Sequence, residues 1–272
     1  MKLWMEMMSY PFIQRAVLAG TMVALCAALL GVSLVLKRYS MIGDGLSHVS
    51  FGTLSVALAA GWAPLAVSIP VVVAAAFFLL RLTENGKMQS DAAIAILSAS
   101  ALAFGVTVTS LTTGMTTDVN SYMFGSILAM SREDVWMSVI LCIIVLVLFV
   151  FCYHKMFAVT FDDNFARATG VRTKLYHTMI AVLTAVTIVL GMRMMGAMLI
   201  SSLIIFPAST SMRLFKSFRS VVISSGIVSI VCFIIGMMAS YQYGTPAGAS
   251  VVLANLLVFL MASLVQWVKG RH

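Results

Sequence analysis

Charged residues are scarce in this sequence. Only 10% of its 272 residues are charged, whereas 61% are hydrophobic. An ordinary globular domain has about 25% charged residues and about 45–50% apolar ones. So few charges cannot cover the apolar surface of a soluble fold, and the composition therefore excludes a soluble enzyme or binding domain. The net charge of +8 does not indicate nucleic acid as a partner, because basic residues of a membrane protein collect in its cytoplasmic loops.

Two nucleotide and metal motifs are also missing. The pattern GxxxxGK[ST], which cradles nucleotide phosphates, does not occur, so the chain should not hydrolyse ATP itself. The pattern HExxH is absent, which argues against a zinc metalloprotease. The four cysteines lie in apolar runs without paired spacing, which is typical of packing residues rather than of disulfides or a metal cluster. We expect no permanently bound cofactor.

Long apolar runs dominate what is present. Runs of about 18 or more apolar residues are typical of membrane-spanning helices. The sequence predicts an all-α, polytopic membrane protein with about nine spans, as a single domain over residues 1–272. The predicted spans are 12–36, 42–60, 63–81, 91–111, 133–153, 174–191, 195–212, 219–240 and 248–268. Those at 42–60 and 195–212 contain glycine or proline, which broken helices tolerate where they line a cavity or pack on other helices.

The lysine and arginine residues predict the orientation. If the loops are numbered alternately, 13 of the 17 basic residues fall on one side and four on the other. The larger set is expected in the cytoplasm, which puts the N-terminus outside and the C-terminus inside. That set is Lys37, Arg38, Arg81, Lys87, Lys155, Arg167, Arg172, Lys174, Arg213, Lys216, Arg219, Lys269 and Arg271, and the smaller set is Lys2, Arg15, Arg132 and Arg193.

One predicted span carries both an acid and a histidine. Asp44 and His48 are four residues apart in "MIGDGLSHVS", so a helix places them on one face. A carboxylate and an imidazole form a plausible half-site for zinc or manganese, and two ligands suit a site that must also release its ion. Water or a second copy of the chain could complete the shell. The alternative is a structural hydrogen bond between the two side chains. The nearby Ser47 and Ser50 are typical of helix packing.

Two other classes of protein stay open at this stage. A transporter or channel that works without ATP would usually carry more intramembrane charge for ion coupling than one carboxylate. An intramembrane protease would need a serine and a histidine from different helices, such as Ser202 and His48, but no motif indicates that pairing.

Two amphipathic stretches are predicted on the cytoplasmic side. "FDDNFARATGVRTK", residues 161–174, predicts a short interfacial helix followed by a turn at Gly170. "FPASTSMRLFKSFRS", residues 206–220, follows an apolar run, and Pro207 permits a helix start or a kink. Ser209, Thr210 and Ser211 could cap a helix locally. A basic amphipathic segment after a span is often a membrane-surface anchor.

Taken together, four stretches carry a resemblance to a known family. They are "LLGVSLVLKRYSMIGDGLSHVSFG" (29–52), "FDDNFARATGV" (161–171), "MRMMGAMLISSLIIFPASTSMRLFKSFR" (192–219) and "GTPAGASVVLANLLVFL" (244–260). In this order they cover nearly the whole chain. The sequence resembles the permease subunit of metal-uptake ABC importers, the zinc/manganese relatives of cobalamin and siderophore permeases.

The resemblance implies a fold, a location and a set of partners. The fold would be that of the cobalamin permease, a type II ABC importer, without its first helix, in the cytoplasmic membrane of a prokaryote. Two permease chains would form the pathway in the lipid bilayer. Two cytoplasmic ATP-binding subunits would dock below, and an extracellular or periplasmic metal-binding protein would deliver the ion from above.

The resemblance also implies roles for individual residues. An Asp and a His at the positions of Asp44 and His48 line the metal pathway in that family. The segment 206–220 matches the region of the coupling helix. The ATPase-docking residues would then be Pro207, Ser209, Thr210, Ser211, Arg213, Lys216 and Arg219.

The transported ion follows less directly from the same resemblance. The wording "GDGLSHVSFG" is closer to zinc-type members than to the manganese-type pattern "SDAxSHAVLPG". Gly43 replaces a serine of that pattern, and Val49, Ser50 and Phe51 replace Ala-Val-Leu. Zinc is therefore the expected substrate, with manganese or iron as the alternative.

Overall fold

The described part of the chain is helical throughout its regular structure. The computed structural model describes residues 7–84, 90–112 and 132–269. Eleven helices of six or more residues lie in these ranges: α1 Pro11–Leu36, α2 Ile42–Ala59, α3 Pro64–Glu84, α4 Ser90–Leu111, α5 Arg132–Phe151, α6 Tyr153–Phe161, α7 Asp163–Ala168, α8 Thr173–Met195, α9 Ala197–Leu214, α10 Phe218–Tyr243 and α11 Ala247–Lys269.

Each of the nine predicted runs is a helix. Six helices are individually long and apolar enough to cross a bilayer: α1, α3, α4, α8, α10 and α11. The pair of α5 and α6 forms a seventh candidate span that bends by 69° at Cys152. The other two predicted runs are α2, which has an acid in its first turn, and α9, whose apolar part Leu199–Leu214 is short.

Helix α1 lies at the centre of the bundle. In an apolar stretch of 18 residues, 72% of α1 is buried inside the bundle, against 22% for α4 and 28% for α3 and α11. Small residues on α1 let other helices approach closely, since a Cβ on Gly31 would clash with the backbone of Ile204 in α9. The peripheral helices expose large apolar side chains instead, such as Trp136, Phe151 and Leu264, which suit contact with lipid tails or with another membrane helix.

Hydrogen bonds between α1 and α10 reveal the relative direction of two spans. The Ser225 hydroxyl donates to the Ala28 carbonyl at 3.2 Å, and the Ser229 hydroxyl donates to the Ala24 carbonyl at 2.9 Å. Later residues of α10 thus meet earlier residues of α1, so the two helices are antiparallel. Interhelical hydrogen bonds of this kind contribute about 0.6 kcal/mol each in membrane bundles.

Candidate metal site

The turn between α1 and α2 brings the chain back into the bundle. The N–H of Tyr39 donates to the Leu34 carbonyl at 2.9 Å, and the N–H of Arg38 donates to the Val35 carbonyl at 3.1 Å. This pattern ends α1 and requires a left-handed residue, which is usually glycine. Arg38 takes that role with φ 61°. Such a conformation costs a non-glycine residue about 1 kcal/mol or more.

The first turn of α2 lies at the depth of the middle of α9. A Cβ on Gly43 would lie 3.0 Å from Cδ1 of Ile204 and 3.8 Å from the Cα of Ser201. Gly31 packs on the same Ile204 from α1, well before α1 ends at Leu36. The start of α2 is therefore inside the helical bundle and not in the loop beyond it, so Asp44 is held among apolar helices.

Glycines on α2 set the direction in which Asp44 and His48 point. Gly43 faces α9, whereas Gly45 and Gly52 face α4. A Cβ on Gly52 would lie 2.8 Å from the Ala101 carbonyl oxygen, so only glycine allows this close approach. Since successive helical residues are about 100° apart, Asp44 and His48 fall between these two packed sides of α2.

The predicted pair is brought together by the helix. His48 Nε2 lies 3.7 Å from Asp44 Oδ2, and the side chains are 19% and 43% exposed respectively. This separation is too long for a hydrogen bond, which disfavours the purely structural alternative. Two zinc–ligand bonds sum to about 4.2 Å, so a single ion can contact both atoms. The half-exposed Asp44 gives such an ion a route in.

The described residues supply no larger metal cluster. No group of three or more His, Cys, Asp or Glu side chains that could hold an ion occurs among them. All four cysteines are free thiols, and Cys26, Cys142 and Cys232 are buried. The Ser47 hydroxyl donates to the Asp44 carbonyl at 2.7 Å. Further ligands for an ion at Asp44 and His48 would have to come from water, from other oxygen atoms or from a second chain.

The predicted docking segment divides into a buried and an exposed part. Pro207 lies inside α9 and starts no helix, and α9 continues to Leu214. Thr210 and Ser211 are buried, and the Ser211 hydroxyl donates to that of Ser224 at 3.1 Å. The expectation of local caps at residues 209–211 is therefore wrong, because these residues lie within α9. The N-cap is Ser217, which accepts the N–H of Ser220 at the start of α10.

The basic residues of the segment are exposed. Arg213, Lys216 and Arg219 all lie on the surface between the end of α9 and the start of α10. The guanidinium of Arg213 stacks 4.6 Å from the centroid of the Phe259 ring and donates to Gln266 at 3.2 Å. Both contacts join the end of α9 to the second half of α11. Pro207, Thr210 and Ser211 thus shape this end of the bundle, and the exposed side chains remain the predicted contacts for another subunit.

The other cytoplasmic prediction is confirmed as a structure. A short helix, α7, spans Asp163–Ala168, and the Asp162 side chain caps it by accepting the N–H of Phe165 at 2.9 Å. The turn follows at Gly170 with φ 82°. The sequence did not predict the contact of α7 with His177 or that of His177 with Lys37, because Lys37 and His177 are 140 residues apart and no motif joins them.

The family of this chain follows from a comparison with known proteins. Residues 9–266 match the description "ABC 3 transport family". The chain belongs to the ABC 3 transport family. The resemblance to the permease subunits of metal-type ABC importers is thereby confirmed, and so is the all-helical permease fold. The chain is a multi-pass membrane protein of this family.

Relatives extend along nearly the whole chain. The manganese import system permease protein ScaB of Streptococcus gordonii is 27% identical, covering 93% of this chain and 91% of its own. The high-affinity zinc uptake system membrane protein ZnuB of Haemophilus influenzae is 30% identical, covering 91% and 95%. The solved structure of PsaBC from Streptococcus pneumoniae in complex with Fab superposes with a TM-score of 0.86 at 26% identity, covering 96% and 94%.

Proposed function

We propose that this chain is the permease subunit of an ATP-driven importer of a divalent transition metal, and that the ion passes between Asp44 and His48. The observation that carries the proposal is the position of this pair. A carboxylate and an imidazole lie 3.7 Å apart on one face of α2, near the start of that helix inside the bundle. Ionisable groups at such depth are costly and indicate a functional site by default.

The two side chains would perform different tasks. Asp44 compensates the charge of the dication. His48 supplies a nitrogen ligand and so discriminates against Ca²⁺ and Mg²⁺, which prefer oxygen. Asp44 and His48 leave coordination positions open, so the ion is bound loosely enough to move on. A second copy of the chain would bring the same pair to the pathway from the other side.

ATP hydrolysis belongs to a separate subunit in this proposal. The sequence has no phosphate-binding loop. The exposed Arg213, Lys216 and Arg219 form a basic surface at one end of the bundle, where a cytoplasmic ATP-binding subunit would dock. Movement of that surface would be transmitted through α9, which packs on α1, α2 and α11. A metal-binding protein outside the cell would deliver the ion to the opposite end.

The orientation follows from the basic residues. The cytoplasm would lie at the end that carries Lys37, Arg167 and Lys174, with the N-terminus outside and the C-terminus inside. The 2.8 Å contact between Lys37 at the end of α1 and His177 at the start of α8 supports this assignment, since it joins two segments that the charge pattern puts on one side. Lys2, Lys87 and Arg271, which were counted in that pattern, lie outside the described residues.

Zinc is the proposed substrate, and manganese is the second candidate. Imidazole and carboxylate ligands accept both ions, but affinity generally favours zinc over manganese. The zinc uptake protein of Haemophilus influenzae is among the relatives. Manganese is favoured by other relatives, such as the manganese import permease of Streptococcus gordonii.

Uptake of radiolabelled metal tests the proposal. Cells without their own importer would express this chain with its candidate ATP-binding subunit and metal-binding protein. Zinc accumulation should be abolished by Asp44→Asn and by His48→Ala. The matched control is His154→Ala, since His154 is exposed on α6. Manganese accumulation with the same dependence would keep the site and change the ion. Wild-type uptake by both variants at normal expression would refute the pathway.

A further inference from the structure

A chain of polar contacts ties α7 to the ends of α1 and α8. Lys37 Nζ lies 2.8 Å from Nδ1 of His177, and His177 Nε2 lies 3.0 Å from Oδ1 of Asp163. The other carboxylate oxygen of Asp163 accepts from Arg167 Nη2 at 2.6 Å, and Arg167 Nε donates to the Thr173 hydroxyl at 3.0 Å. We call these five residues the α7 network.

The His177 ring contacts both charged neighbours. Lys37 Nζ lies 2.8 Å from Nδ1 of His177 and 3.1 Å from Nε2. In the tautomer that carries its proton on Nε2, His177 donates to Asp163, and Nδ1 is the nitrogen that can accept from the Lys37 ammonium. The His177 side chain is 15% exposed and that of Asp163 is 32% exposed. Charge-assisted bonds in such a partly buried setting are stronger than neutral ones.

The electrostatic balance of Asp163 fits this geometry. Partial burial raises the pKa of Asp163, but the hydrogen bond from His177 and the positive charges of Arg167 and Lys37 outweigh it and hold the pKa below its ordinary value of 3.8. The carboxylate is therefore ionised at neutral pH and can anchor both cationic neighbours.

The α7 network ends at the turn that leads to the candidate metal site. Lys37 follows directly on α1, and the left-handed Arg38 comes next. A strained residue persists only where its surroundings fix it. Helix α2 begins at Ile42, whose N–H donates to the Tyr39 carbonyl at 3.0 Å, so its first turn continues directly from the turn that ends α1. Asp44 lies in this first turn.

We infer that the α7 network positions the metal pair. Lys37, His177 and Asp163 hold the turn between α1 and α2, and through it they fix where the first turn of α2, which carries Asp44, sits in the bundle. They are positioning residues and do not touch the ion. The inference rests on the proposed function, because it assumes that Asp44 and His48 bind metal. It assigns a task to α7, which is too far along the chain from Asp44 to be linked to it by sequence.

The test measures zinc binding by the purified full-length chain in lipid nanodiscs. Equilibrium dialysis with radiolabelled zinc gives the component of binding that His48→Ala removes. This component measures the zinc that is bound at Asp44 and His48, and it excludes any zinc that His177 binds. Breaking the network with His177→Leu should raise the Kd of this component by about tenfold, the lower end of the cost of losing polar support around metal ligands.

Three further variants separate positioning from folding. Lys37→Gln removes the link to α1 but leaves the contacts among Asp163, Arg167 and Thr173 in place, and it should weaken binding as His177→Leu does. Lys37→Gln also tests the inference if the His177→Leu variant does not fold. His177→Gln can still accept from Lys37 and donate to Asp163, so it should retain wild-type affinity. His154→Leu changes an exposed histidine outside the network and should have no effect.

The failure of this inference differs from the failure of the proposed function. If the wild-type chain shows no zinc binding that depends on His48, the proposed metal site is refuted. If such binding exists and Lys37→Gln leaves its Kd unchanged, the metal site stands and the positioning role is refuted. An equal rise in Kd for His154→Leu would also refute it, since that residue is not a member of the network.

Discussion

At the scale of single residues, Asp44 and His48 show what helical spacing alone can predict. Their i, i+4 relation predicted a shared face, and their side-chain atoms do lie 3.7 Å apart. The depth of the pair could not be read from the sequence, because it depends on Gly31 and Gly43 packing against the same Ile204. The α7 network was equally hidden, since His177 meets Lys37 only through the tertiary fold.

Replacing Gly52 should disturb α2, the helix that carries Asp44 and His48. We expect Gly52→Val to push α2 away from α4, because even a Cβ would lie 2.8 Å from the backbone oxygen of Ala101. The cost should be about 1–3 kcal/mol of stability, as for other overpacked sites. Thermal denaturation in detergent measures it. Ala59→Val is the control, since Ala59 is exposed at the end of the same helix. An unchanged denaturation midpoint in Gly52→Val would contradict the close packing.

At the scale of helices, run length and composition predicted most of the architecture. All nine predicted runs are helices, because the hydrocarbon thickness of a bilayer dictates the length of an apolar segment. The details that failed are local. Ser209, Thr210 and Ser211 were expected to offer local helix caps, yet they lie within α9, which runs to Leu214. No proline or glycine in the sequence predicts the 69° bend between α5 and α6.

The contact that holds α7 to the bundle should weaken at acidic pH. The pKa of Asp163 is held below 3.8, so ionised Asp163 stabilises the contact fully above that value. This stabilisation is lost as the pH falls through the lowered pKa of the folded state, where Asp163 becomes protonated. The hydrogen-exchange protection factors of residues 163–168, which correct for the intrinsic dependence of exchange on pH, should therefore fall below about pH 4. In Asp163→Asn these protection factors should already be low at pH 7 and should change little with acid. Wild-type protection factors in that variant at pH 7 would contradict the role of the carboxylate.

At the scale of the whole molecule, the charge asymmetry of the sequence predicts one orientation. The 13 basic residues on one side would face the cytoplasm, and an odd number of spans would separate the two termini. A green fluorescent protein fused to the C-terminus should therefore fluoresce, and alkaline phosphatase fused there should be inactive. Active phosphatase at the C-terminus would mean that the orientation or the number of spans is wrong.

In the proposed arrangement, a second copy of the chain and a delivery protein complete the pathway. The described chain offers two ligands at the metal pair, and Asp44 is 43% exposed. Helices α4 and α11 present large apolar side chains such as Phe104 and Leu257 to the outside. These features fit a chain that works beside a second copy and beneath a delivery protein, which is the arrangement that we propose for it.

The ratio of zinc to manganese uptake tests the central claim most directly. Both ions would be supplied together to cells that express either the wild-type chain or His48→Asp with the same partner subunits. Exchanging the imidazole for a carboxylate leaves only oxygen ligands, which suit manganese better than zinc, so the ratio should fall by roughly tenfold. A change in selectivity cannot result from poor folding alone, because misfolding lowers the uptake of both ions equally. If His48→Asp transports metal with the wild-type ratio, the ion does not pass over His48 and the account is wrong.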